Sequence, residues 1–168
     1  LSAGPGSYTG LRIGSSTAKG VCYGRKVKLI AVSTLKLLAV PLLLYREDIE
    51  ENALFCPMID ARRMEVYTAV YDRALKEIRS TEAVVVEHDV FNDLLDKQPV
   101  YFFGNGSEKC KAVIQHENAH FIDGIIPEAR HMLPLAQQSV ATDKFEDVAY
   151  FEPYYLKEFI ATTPKKLL

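Results

Sequence analysis

Residues 4–14 read Gly-Pro-Gly-Ser-Tyr-Thr-Gly-Leu-Arg-Ile-Gly, and this run is the strongest indication of architecture in the chain. Its glycines permit a tight turn, and Ser7 or Thr9 can cap a helix that continues to about Tyr23. A turn of this kind joins a strand to a helix, as in α/β proteins. Because so few residues precede the turn, we expect the strand to be incomplete and the chain to be truncated at its N-terminus.

Strands and helices alternate through the remaining sequence, which predicts an α/β fold. Ser33 can cap a second helix over residues 34–45, which Pro41 is expected to kink or split. The strand-forming runs 53–59 and 64–71 enclose Asp60-Ala61-Arg62-Arg63 and predict a hairpin. Further strands are expected near residues 28–32, 75–79, 83–86, 100–103 and 121–122, and further helices near 89–95, 107–115 and 128–140.

The acidic stretch 46–52 is the predicted boundary between two lobes. Residues 1–45 would be the remainder of a first lobe, residues 46–160 a second α/β lobe, and residues 161–168 a C-terminal tail.

Composition excludes several classes of protein. The chain has 168 residues, 48% of them hydrophobic, and a formal net charge of -2, so no overall basic field draws it to nucleic acid. Its three cysteines share no short spacing and indicate neither a disulfide framework nor a zinc cluster. The longest apolar run, residues 35–45, is too short to cross a membrane. These features favour a cytoplasmic protein.

The first helix has an unusually smooth face. Gly10, Gly14 and Ala18 lie four residues apart, so their small side chains share one side and let another backbone approach closely. That neighbour could be the protein's own sheet or a helix of another subunit, and the spacing does not decide between them. The turn at Gly4, Gly6 and Ser7 is also a candidate phosphate loop for weak nucleotide binding, although it lacks the Walker A and dinucleotide spacings.

Two further groups of charged residues are candidates for catalysis or metal binding. His116-Glu117-Asn118-Ala119-His120 has the His-Glu-x-x-His spacing of zinc hydrolases, in which a helix places both imidazoles on one face. The apolar phase of residues 110–114 does not continue through the pair, so a surface loop is the preferred interpretation. Asp60 beside Arg62 could serve as an acid, a base or a metal ligand, or simply accept hydrogen bonds within its turn.

The run 4–14, followed by Ala18-Lys19-Gly20, resembles the signature of the TsaB (YeaZ) family of tRNA threonylcarbamoyladenosine biosynthesis proteins. Companion matches follow in order along the whole chain: Val32-Ser33-Thr34-Leu35, Ile59-Asp60-Ala61-Arg62, Glu65-Val66-Tyr67, Glu152-Pro153 and Tyr155-Leu156.

The resemblance implies a two-lobed fold of the actin, sugar kinase and Hsp70 type (ASKHA) and a non-catalytic scaffold role. A subunit of this kind binds and activates a TsaD-type paralogue, works with a TsaE-type ATPase, can self-associate, and meets tRNA only through the complex. It would need no cofactor of its own, ATP being used by the complex. The helix over residues 11–23 would help to form the subunit interface, with these expected contact residues: Gly10, Leu11, Ile13, Gly14, Thr17 and Ala18.

Overall fold

In the computed structural model, residues 1–157 are described; the tail predicted over 161–168 lies outside that range. Two sheets organise the described residues. A short parallel pair joins β1 (Ser2–Gly4) to β2 (Val32–Ser33), and α1 (Tyr8–Arg25) connects them. The predicted βα turn and first helix are therefore confirmed. Of the expected strand over 28–32, only its last residue enters β2, and Leu29 forms an isolated bridge with Glu146.

The larger sheet has five strands: β3 (Leu54–Asp60), β4 (Glu65–Tyr71), β5 (Glu77–Val85), β6 (Val100–Phe103) and β7 (Ala119–Ile122). Their order is β5-β4-β3-β6-β7. The first three run antiparallel as a meander, and β3, β6 and β7 are mutually parallel. The predicted hairpin is thus confirmed as β3–β4.

The second helix, α2 (Thr34–Tyr45), begins as predicted, with the Ser33 hydroxyl accepting a hydrogen bond from the Lys36 amide. It runs without interruption through Pro41, so the predicted split is wrong. Most of its residues are buried because it covers the large sheet, packing Leu35, Leu38 and Leu42 against apolar side chains of β3, β4 and β6. α2 therefore links the two sheets, and the lobe boundary at 45/46 stays a prediction.

Two other expectations were wrong. The predicted helix over 107–115 is reduced to one 3₁₀ turn at Glu108–Cys110, since the chain turns there to follow β6. The two short strands expected within 75–86 are one nine-residue strand, β5, because β4 supplies a partner along its length.

The last described residues lie beside the first elements of the chain. After the short α3 (Asn92–Leu95) and α4 (Met132–Ala141), residues 149–157 cross over α1 and β1 without forming a helix or strand. We call residues 149–157 the strap.

Candidate functional site

Helix α1 is weakly buried for its length. Of its 18 residues only Ser15 and Cys22 are buried. Large apolar side chains instead face solvent: Ile13 is 63% exposed and Val21 is 56% exposed. With Thr17, which is also exposed, they form a stripe at helical spacing that we call the α1 stripe. Exposed apolar side chains at this spacing are typical of a surface that another protein covers.

The structure divides the six expected contact residues into two groups. Ile13 and Thr17 lie on the exposed α1 stripe. Three others adjoin the rest of the chain: Leu11 is half-buried over the glycine-rich turn, Gly14 lines a groove, and Gly10 lies at the exposed edge of the same groove. Ala18 is half-buried. The smooth face is therefore partly used within the chain, and its role in a subunit interface stays a prediction.

The groove beside Gly10 and Gly14 has a volume of about 430 Å³. It lies between the start of α1, the start of α2 and the loop at residues 125–127. Its walls are mainly apolar: Leu1, Leu11, Leu38, Ile59, Ile125 and Ile126 line it. Such a surface suits an apolar side chain better than a phosphate group.

The space beside the glycine-rich turn is occupied by other residues of the protein. Gly4 has a φ of 109°, and a Cβ there would lie 2.7 Å from the Tyr154 carbonyl oxygen of the strap. The Ser7 hydroxyl accepts a hydrogen bond from the Gly10 amide and so serves as the helix cap. These contacts account for Gly4 and Ser7 without a ligand. Weak nucleotide binding at Gly4, Gly6 and Ser7 stays a prediction.

The strap is a part of this region that the sequence did not reveal. The Lys19 ammonium group donates hydrogen bonds to the carbonyls of Ala149 and Phe151, each at 3.0 Å. The Tyr154 amide donates to the Ala3 carbonyl at 2.7 Å. The ring of Tyr155 packs on that of Tyr8, with centroids 5.0 Å apart. The strap therefore fixes α1 along its length, although more than a hundred residues separate them in sequence.

Asp60 lies in a turn with a cationic partner. Its carboxylate accepts hydrogen bonds from the Lys109 ammonium group and from the Arg62 amide, and its own amide donates to the Asn105 side chain. The hydrogen bond from Lys109 lowers the pKa of Asp60 below its ordinary value. Asp60 is thus held as a carboxylate by its turn and by Lys109, and neither the structural nor the chemical interpretation of it goes beyond a prediction.

The helical geometry required for a His-Glu-x-x-His zinc site is absent. His116 lies in a loop, where its ring accepts a hydrogen bond from the Asn118 amide, and His120 lies in β7 with its ring stacked on Tyr101. The two imidazoles therefore do not share a helix face. Within residues 1–157, no three His, Cys, Asp or Glu side chains come together as a metal site would require. The hydrolase alternative loses its geometric basis.

No helix among the described residues is long and apolar enough to span a membrane.

Comparison with protein families and curated proteins gives consistent matches. A family model described as TsaD, tRNA N6-adenosine threonylcarbamoyltransferase, matches residues 1–165. The tRNA threonylcarbamoyladenosine biosynthesis protein TsaB of Escherichia coli is 34% identical over 166 residues, covering 94% of this chain and 69% of that protein. The TsaB protein of Bacillus subtilis is 34% identical over 118 residues, covering 68% of this chain and 49% of that protein.

Solved structures agree on the fold. YeaZ from Pseudomonas aeruginosa superposes with a TM-score of 0.71 at 26% identity, covering 92% of this chain and 72% of that chain. A second Pseudomonas aeruginosa structure, of an uncharacterized protein with similarity to the peptidase YEAZ, gives a TM-score of 0.78 at 26% identity, covering 93% and 71%. The mixed α/β fold with a central sheet is therefore one that these proteins share.

Proposed function

The chain belongs to the TsaB (YeaZ) family, and we propose that it works in the biosynthesis of threonylcarbamoyladenosine in tRNA as a non-catalytic subunit. In this role it binds and activates a TsaD-type transferase, which carries the acid–base and metal chemistry. A TsaE-type ATPase and the ATP that it consumes belong to the same assembly, which works in the cytoplasm. The two-lobed ASKHA architecture is part of this proposal.

The observation that carries the proposal is the α1 stripe. Ile13 and Val21 present apolar side chains, with Thr17 between them, on a helix of which the rest of the described chain buries only two residues. Burying one such isoleucine in an interface is worth about 1.5–3 kcal/mol, so a partner that covers the α1 stripe gains substantial binding energy. The strap supports this use because its hydrogen bonds from Lys19 hold α1 in place before a partner arrives.

The proposal predicts that Ile13→Glu abolishes co-purification with the TsaD-type transferase. The substitution places a carboxylate where an apolar contact is expected, while its exposure in the free subunit lets the variant fold normally. Ile78→Glu is the matched control: Ile78 is 49% exposed on β5 of the large sheet rather than on α1, and its substitution should leave co-purification unchanged. Affinity is measured by titration of the tagged transferase, and a loss of at least a hundredfold is expected for Ile13→Glu.

A second pair of variants tests the smooth face. Gly14→Arg projects a long side chain beside the groove and should also weaken the complex. Gly14→Ala should not, because the added Cβ meets only Leu1 Cδ1 at 3.6 Å, an ordinary contact distance. Normal transferase binding by both Ile13→Glu and Gly14→Arg would refute an interface on α1. If both variants lose only self-association, the helix forms a homodimer instead.

A further inference from the structure

The turn between β3 and β4 presents two arginines in an unfavourable backbone conformation. Arg62 has a φ of 74° and Arg63 a φ of 48°, both in the left-handed region that glycine or asparagine occupies more readily. Both side chains are exposed. Folding alone therefore gives no reason for two large cationic residues at these positions, and strained positions of this kind are concentrated at functional sites.

The carboxylates of this turn are already neutralised. Lys109 pairs with Asp60 and Lys157 pairs with Glu65. Within residues 1–157, no carboxylate lies within ion-pair distance of either Arg62 or Arg63. The β3–β4 tip therefore carries an excess of positive charge in a chain whose formal net charge is -2. A locally positive surface on an acidic protein favours binding of an anion at that place.

The tip is also rigid, which makes it suitable for recognition. The Lys109 ammonium group donates to the Glu65 carbonyl at 2.7 Å as well as to Asp60, and Asn105 accepts from the Asp60 amide at 3.0 Å. The Ala61 amide donates to the Glu65 carbonyl at 3.0 Å and closes the hairpin. The two guanidinium groups thus project from a fixed backbone, so that little conformational entropy of the main chain is lost on binding.

The cations of this region gather around one turn. Lys109 and Lys157 both reach it, through Asp60 and Glu65, and Arg62 and Arg63 lie within it. Clustered arginines and lysines are typical of nucleic-acid-binding surfaces, where cations contact phosphates.

We propose that Arg62 and Arg63 contact the phosphate backbone of tRNA directly. The identity of the RNA rests on the proposed function, whereas the anion-binding surface rests on the geometry of the tip. This subunit then contributes part of the tRNA-binding surface of the complex, in addition to its contact with the transferase.

The test measures tRNA affinity of the complete assembly, formed from the full-length protein and its transferase, at several salt concentrations. Arg62→Ala/Arg63→Ala should weaken binding about tenfold or more at moderate salt and reduce the slope of log K against log salt by about 2. The matched control is Lys76→Ala/Lys97→Ala, which removes the same charge from exposed sites away from the tip and should change affinity less than twofold. Arg62→Lys/Arg63→Lys should retain most of the slope.

Assembly and stability are measured on the same variants. The arginine variants should still co-purify with the transferase, which separates this proposal from the α1 interface. Arg62→Gly/Arg63→Gly should melt at or above the temperature of the unaltered protein, because glycine relieves the backbone strain, and should still lose tRNA affinity. An unchanged salt slope in an intact complex overturns the proposal, as does a defect confined to ATP binding or to association with the ATPase.

Discussion

His131 is a residue whose burial has no compensating polar contact. It is 3% exposed, and neither ring nitrogen has a hydrogen-bond partner among the described residues. Its ring meets that of Tyr45 edge-on, with centroids 5.8 Å apart. Burying polar nitrogens without partners costs free energy, so the imidazole serves here as an aromatic filler that joins the start of α4 to the end of α2.

We therefore predict that His131→Phe stabilises the protein. Phenylalanine keeps the ring contact with Tyr45 and removes two unsatisfied nitrogens, which should raise the free energy of unfolding by about 1 kcal/mol. Chemical denaturation measures the change. His131→Ala is the comparison and should destabilise, because it leaves a cavity in place of the ring. A loss of stability in His131→Phe would mean that the nitrogens make a favourable contact in solution.

At the scale of elements, the pairing of β6 with β3 depends on the turn that follows β6. Gly104 has a φ of 97°, and a Cβ there would collide with the Met58 carbonyl oxygen of β3. The Gly106 amide donates to that same carbonyl at 3.0 Å. The turn therefore needs glycine both for its backbone angle and for the close approach of the neighbouring strand.

Gly104→Ala is predicted to destabilise by at least 3 kcal/mol, roughly the sum of backbone strain and a clash with main chain that cannot move aside. Gly124→Ala is the matched control. Gly124 also has a positive φ, of 76°, but a Cβ there meets nothing within 4 Å. Gly124→Ala should therefore lower the free energy of unfolding only by the backbone strain, about 1 kcal/mol. Equal losses of unfolding free energy in the two variants would contradict the proposed clash.

Elements that depend on local sequence were predictable. The sequence predicts the helix caps at Ser7 and Ser33 and the hairpin around Asp60, and the structure has all three. Each depends on hydrogen bonds between residues only a few positions apart. The prediction of a helix over 107–115 was wrong because its apolar residues are buried without a helix. Cys110 and Ile114 belong to the core, and they reach it from a 3₁₀ turn and a loop. The parallel pairing of β6 with β7 joins residues that no local pattern connects.

The candidate site was predictable only in part, for the same reason. The small residues of α1 are visible in the sequence, but which of them face the groove depends on Leu1, α2 and the loop at 125–127. The strap contacts were not predictable, since Lys19 reaches the carbonyls of Ala149 and Phe151 across the whole chain.

At the scale of the whole molecule, the strap ties the last described residues to the first helix. This arrangement predicts that Lys19→Met loosens the strap while the large sheet stays folded. The loss of two charge-assisted hydrogen bonds should speed hydrogen exchange of the strap amides about tenfold, with Tyr154 as the most direct reporter because its amide bonds to Ala3.

Lys97→Met serves as the control, because Lys97 is exposed and distant from the strap in sequence and should leave exchange there unchanged. Exchange in β3 and β6 should be the same in both variants. If Lys19→Met left strap exchange unaltered, the hydrogen bonds from Lys19 would not contribute to holding the strap on α1.

The strap also sets an order of events during synthesis on the ribosome. The residues that fasten helix α1 are translated more than a hundred codons after it. Until they have been made, α1 lacks the hydrogen bonds that Lys19 donates to the strap, and the exposed Ile13 and Val21 lie on a helix that is held less firmly. The helix therefore gains its full set of contacts only after the large sheet has been synthesised.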